Sequence, residues 1–212
     1  MGNFKKKCNP CENYESDKLN VVLFVSRNKD NKSVDGFKER RNAFATTKNA
    51  SELFEKFEAF AAEGKFGEMS RMYFSVNPRS NAKTFKALQH KMLDGEFNLA
   101  SLPQKAAALA ALKENAYDSQ NLKWLFDFDP VSGLDTEKLL QNFLSDMQLA
   151  HELTPTKHGE TRPKMNVEVY KTPNGYSVVV DQRFDVRVLL EVWHNATLKR
   201  DDLLCVKWQA TC

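Results

Sequence analysis

What most constrains this chain is its hydrophobic period, which switches repeatedly between two residues, the repeat of a strand, and about 3.6, the repeat of a helix. NVVLFVS, from Asn20 to Ser26, is a short, fully apolar run rich in β-branched residues and reads as a buried strand, followed by the polar loop RNKDNKSVDG. Asn49 then caps a helix, with Glu52 in capping-box position and Leu53, Phe54, Phe57, Phe60 and Ala61 as its apolar stripe before Gly64. Arg71 to Val76 alternates, sending Met72, Phe74 and Val76 to one face and Arg71, Tyr73 and Ser75 to the other, and it ends at Asn77-Pro78. Ser80 opens a helix with Phe85, Leu88 and Met92 on its apolar face, and Gly95 closes it. Ser101-Leu102-Pro103-Gln104 opens an Ala-rich helix with a capping-box pattern.

The second half continues in the same manner. A strand is expected over Leu122 to Asp129, then a helix over Thr136 to Ala150 capped by Asp135, with Leu139, Leu140, Phe143, Leu144 and Met147 inside. Two strands, Asn166–Lys171 and Tyr176–Asp181, flank the hairpin-type turn Thr172-Pro173-Asn174-Gly175. A short helix near Val186–Trp193 and a strand Leu203–Trp208 complete the pattern. Strands alternate with helices except at one hairpin, which predicts an α+β fold with helices packed on a sheet. Residues 1–18 read as a polar tail, and 19–212 as one α/β domain with an N-terminal half 19–118 and a second half 119–212.

Composition excludes little. Hydrophobic residues at 42% and charged residues at 28% of 212 are enough for a core and unlike a disordered tail. A net charge of +3 permits a polyanionic partner without arguing for one, because phosphate binding depends on clustering. No run approaches the roughly 20 apolar residues of a membrane span. The opening MGNFKKKC is not a secretory signal, and Lys6 stands where myristoylation wants Ser or Thr, which together point to the cytosol. Cys8, Cys11, Cys205 and Cys212 could assemble a zinc site, although free thiols require no special arrangement.

The chemistry concentrates in Trp124-Leu125-Phe126-Asp127-Phe128-Asp129-Pro130. Alternation places Trp124, Phe126 and Phe128 on one face and Asp127 and Asp129 on the other. Two carboxylates at i and i+2 of a buried strand repel each other and are poorly solvated. A divalent cation, Mg²⁺ or Mn²⁺, resolves both problems. The alternative is an edge strand with both acids in water or paired to Lys or Arg. Downstream, the Asn174-Gly175 turn leading into Tyr176 and Ser177 can offer backbone N–H groups and a hydroxyl to a phosphate, or serve as a plain hairpin. Asn77, Arg79 and Ser80 lead into a helix N-terminus suited to an anion, with Arg71, Lys83 and Lys86 nearby and Tyr73 available for stacking. Lys171, beside the turn, is a further candidate phosphate contact. His90, His151, His158 and His194 form no arrangement the sequence can locate; His151 and His158 are near enough in the chain to be ligands, but isolated histidines of this kind are mostly surface residues.

Taken together, an apolar strand ending in Asp127-x-Asp129, a helix, and a Thr172-Pro173-Asn174-Gly175-Tyr176 turn into a strand resemble the archaeo-eukaryotic primase superfamily, especially small phage-encoded members. The resemblance runs from about Leu122 to the end. It has Ser177 where the family has a His, and the family's third acid is missing from the end of the last strand, though Asp201 and Asp202 precede that strand. The resemblance implies an RRM-like palm, divalent metal on Asp127 and Asp129, nucleic acid or nucleotide as partner, and a nucleotidyltransferase or nuclease-like activity. It also admits an inactive primase-fold module that binds nucleic acid or a host protein. A phage origin would place the protein in the host cytoplasm.

Overall fold

The computed structural model describes residues 17–95, 98–156 and 162–212. In chain order its elements are β1 (Lys18–Ser26), β2 (Arg40–Thr46), α1 (Phe54–Ala62), β3 (Met69–Ser75), β4 (Arg79–Ser80), α2 (Asn81–Leu93), α3 (Leu102–Ala110), β5 (Trp124–Phe128), α4 (Thr136–Leu153), β6 (Val167–Thr172), β7 (Gly175–Val180), α5 (Arg187–Val192), β8 (Ala196–Arg200) and β9 (Leu203–Ala210). They form a mixed α+β architecture with two antiparallel sheets, where the sequence had suggested one. Asp17 and Lys18, read as part of a polar tail, belong to the fold. No helix among the described residues is long and apolar enough to cross a membrane.

The first sheet has the order β2-β1-β3-β9, with β4 paired to the start of β1. β1 is apolar on both faces because both faces are covered: Val22 and Phe24 pack with Leu53 and Phe57 beneath α1, and Val21 packs with Ala107 and Ala110 of α3. The capping box ahead of α1 forms as expected, with the Asn49 N–H donating to Glu52 Oε2 (2.8 Å) and the Glu52 N–H to Asn49 Oδ1 (3.2 Å). Ser80 caps α2, accepting from the Lys83 N–H. The expected inner face of α2 is not inside: Phe85 is 57% exposed, and Thr84 is the buried residue. The reason is that α2 rests on α3 and the turn at Lys113–Asn115, not on a sheet. At α3, the Ser101 side chain makes no cap; its hydroxyl donates to the Asn98 carbonyl, and the Asn98 side chain caps the preceding turn.

The second sheet has the order β6-β7-β5-β8, every neighbouring pair antiparallel, with elements running β5-α4-β6-β7-α5-β8. This is a split β-α-β-β-α-β unit, in which the β6–β7 hairpin places β7 between β5 and β6. Asp135 caps α4 through the N–H groups of Glu137 and Lys138. Both α4 and α5 cover one face, burying Phe126 and Phe128 of β5 and Val178 and Val180 of β7 against Leu140, Phe143, Met147 and Leu189. His151 lies in this core at 2% exposure, edge-on to Phe184, which corrects its reading as a surface residue. His158 lies outside the described residues.

After β8 the chain leaves the second sheet through Asp201 and Asp202, and β9 pairs with β3 of the first. The uncovered face of the second sheet meets the first through Leu125, Val179 and Leu204, with Val76, Tyr170 and Val206 around them. Beyond this apolar seam the facing surfaces are polar.

Candidate functional site

Between the two sheets lies a cleft of about 460 Å³. Its first wall comes from alternation along β5. Phe126 and Phe128 enter the helix-covered core, so Leu125 and Asp127 face the other way, and Asp127 and Asp129 both reach the cleft as expected. Asp127 stands opposite Ser177 in the β5–β7 register, and the Ser177 hydroxyl donates to Asp127 Oδ1 at 3.2 Å. Burial holds the Asp127 carboxyl above the usual carboxylate range; Lys199 and the Ser177 bond pull it back, while Asp129 and Asp202 add to the rise. The Asp129 backbone is fixed by Asn195, which accepts from its N–H (2.9 Å) and donates to its carbonyl (2.8 Å). Its exposed carboxylate has no hydrogen bond or ion pair among the described residues. Gly175 has a positional reason: a Cβ there would stand 2.3 Å from the Phe128 carbonyl oxygen, so only glycine lets the β6–β7 turn lie against the end of β5.

The opposite wall is basic. Arg27, Lys29, Arg41 and Arg71 line it, with Tyr73 between β1 and β9. The β1–β2 loop is held by buried Asn31, whose amide nitrogen donates to Ser26 Oγ and to the carbonyls of Arg27 and Met69, and whose oxygen accepts from the Met69 N–H. Next to it, Asp30 takes Arg27 Nε at 2.7 Å and Arg71 Nη2 at 2.5 Å. Arg71 is 5% exposed, and its Nε has no partner among the described residues. With the Asn174 amide turned so that its nitrogen donates to the Pro173 carbonyl, its oxygen accepts from Arg71 Nη2 at 3.2 Å, tying the turn of one sheet to the wall of the other. Asn174, Tyr176 and Ser177 therefore join Arg71 and Tyr73 in one cleft, as the sequence suggested.

Four expected contacts are not in that cleft. Arg79 is 2% exposed and makes a two-pronged pair with Asp201, both distances 2.8 Å. Asn77 donates to the same Asp201 and to the Lys123 carbonyl, and accepts from the Lys123 N–H. Lys83 donates to the Ala116 carbonyl, 3.0 Å away. Asn77 and Arg79 brace the junction of the sheets, and Lys83 ties α2 to the turn at 113–116. Lys171 alternates to the face opposite Thr172 and is not among the lining residues. The N-terminus of α2, read as an anion site, already holds a carboxylate of this chain: Asp17 accepts from the Ala82 N–H and the Ser80 hydroxyl.

Arg27, Lys29, Arg41, Thr197, Lys199 and Asp202 line the cleft without having been singled out. Arg41 and Lys199 sit on β2 and β8, two strands that the pattern did not reveal; the charged run Lys199-Arg200-Asp201-Asp202 was the available signal. Cys205 faces the cleft as a buried thiol pushed up to about 11 by burial, and Cys212 is exposed; Cys8 and Cys11 lie outside the described residues.

Among the described residues, no group of three or more His, Cys, Asp and Glu is gathered closely enough to hold a metal. The donor set on offer is two carboxylates sharing one cleft, one of them without a partner. Hard oxygen donors of this kind suit Mg²⁺ or Mn²⁺, which keep several waters and take the rest of their shell from phosphate. Comparison with protein-family models, with curated proteins and with solved structures finds no match.

Proposed function

We propose that the cleft is a divalent-metal-dependent phosphoryl-transfer site acting on nucleic acid or its nucleotides, on a primase-like, RRM-like palm. The observation that carries this reading is the cleft's polarity: Asp127 and Asp129 on one wall face Arg27, Lys29, Arg41 and Arg71 on the other. Such a division matches a metal-complexed phosphate, whose cation needs carboxylates and whose oxygens need fixed positive charge. The β5-α4-β6-β7-α5-β8 unit, with its order β6-β7-β5-β8, supports the palm.

Asp127 and Asp129 would hold Mg²⁺ or Mn²⁺, which when bound supplies polarisation of the phosphoryl oxygen under attack. Arg71, kept buried by Asp30, presents charge that needs no reorganisation as negative charge develops. Ser177 orients the Asp127 carboxylate, and Tyr73 offers a ring for base stacking. A second reading is a module that binds nucleic acid without transfer chemistry. It is favoured by Ser177, which stands at the place of the resemblance's His and spends its proton on Asp127.

The test is thermal unfolding of the parent and Asp127→Asn, each with and without Mn²⁺. Because the folded-state pKa of Asp127 is raised, the folded chain keeps a proton that the unfolded chain releases, and stability is lost as pH climbs above the ordinary Asp value of about 3.9. Asp127→Asn is therefore expected to melt higher than the parent without metal at neutral pH, and to show a smaller Mn²⁺ shift. A parent that melts identically with and without Mn²⁺ ends the metal reading. Labelled single strands and duplexes incubated with Mn²⁺ and nucleotides then separate cleavage or extension from binding alone, the last supporting the second reading.

A further inference from the structure

We infer that Lys199 stands in for a second metal ion, so that the cleft takes a single divalent cation and uses the lysine ammonium as its other positive charge. The inference rests on the metal-dependent reading of the cleft. Thr197 of β8 pairs directly with Asp127 of β5, and Lys199, the extra residue between Leu198 opposite Phe126 and Arg200 opposite Leu125, lines the same cleft. The β5–β8 register shifts between Leu125 and Phe126, just where Lys199 falls, so the irregularity sits under this side chain. Lys199 lines the cleft with Asp127, Asp129 and Asp202, and has no hydrogen bond or ion pair among the described residues.

Charge decides between one ion and two. Among the described residues no three acids are gathered here, so the charges that count beside the ion are Asp127, Asp129 and Lys199; two carboxylates and one ammonium leave a net charge of minus one, which a single divalent cation already exceeds. A second ion would raise this to plus three, facing Arg27 and Arg71 across the cleft. Two-ion sites place their metals about 3.5–4 Å apart between shared carboxylates, and a lysine in the same cleft competes for that space. The ammonium also needs no loading, so its charge is present at any metal concentration.

The test counts Mn²⁺ per chain by equilibrium dialysis, with affinity from titration calorimetry, for the parent, Lys199→Met, Lys199→Asp and Lys138→Met. Lys138 is exposed at the start of α4, on the far side of the sheet, and its removal changes net charge equally. Expected are one ion for the parent, one ion bound about tenfold tighter for Lys199→Met, two for Lys199→Asp, and parent behaviour for Lys138→Met. Two ions on the parent, or Lys199→Met and Lys138→Met behaving alike, overturns the inference while leaving the metal site standing. No ion on the parent overturns both readings.

Discussion

Single residues at the junction of the sheets carry unequal burdens. Asp201 takes both terminal nitrogens of the buried Arg79 guanidinium with its two carboxylate oxygens and also receives Asn77. Removing it leaves a buried charge without a partner, so Asp201→Ala is expected to cost about 3–5 kcal/mol in urea denaturation, with much of the loss recovered when Arg79→Met is added. His151 carries a different liability. Burial keeps its imidazole pKa below the ordinary value, and Arg162 lowers it further, against weaker opposing effects of Glu152 and Asp181. Below about pH 6.5 the unfolded chain takes up a proton that the folded one refuses, so stability contributed here is present at higher pH and lost as pH falls. The melting temperature should drop from pH 7.5 to 5.5 in the parent and drop less in His151→Phe, as read by circular dichroism.

At the scale of elements, the strand carrying the acids and the hairpin beside it are one mechanical piece. The β6–β7 turn lies on the end of β5 because Gly175 has no side chain, and Gly175→Ala should cost about 1–3 kcal/mol through overpacking against the Phe128 carbonyl. Since Asp129 follows Phe128, the same variant should weaken Mn²⁺ binding, measured by calorimetry, and unchanged affinity would separate the turn from the site. Legibility in the sequence followed burial. β1, β5 and β7 were readable because their inward residues are Val, Leu and Phe, and the caps at Asn49, Ser80 and Asp135 were readable because capping is local chemistry. β2 and β8 were not, because each lies at a sheet edge, where Arg40, Arg41, Lys199 and Arg200 break the two-residue apolar period. The acid pair Asp127 and Asp129 was thus legible, whereas of the basic wall only Arg71 was. Arg79 misled for a related reason: an arginine next to a helix start looks the same whether its anion is a ligand or an aspartate 122 positions away.

Across the whole molecule, the two halves marked by sequence are not the two sheets. β9 follows β8 by two residues yet pairs along the length of β3, and Leu204 joins the seam between the sheets. A fragment of residues 17–118 lacks that strand and the partners of Asn77 and Arg79, and it should show no cooperative melt, whereas residues 17–212 should melt as a unit. A fragment with a sharp transition of its own would show that β9 is dispensable to the first sheet. The same exchange of strands has a bearing on synthesis. The earliest-translated sheet cannot close until residues 203–210 have left the ribosome, so β3 waits through the making of an entire second sheet with one flank open, and a chain stalled before that point exposes a pairing edge to whatever else is in the cell.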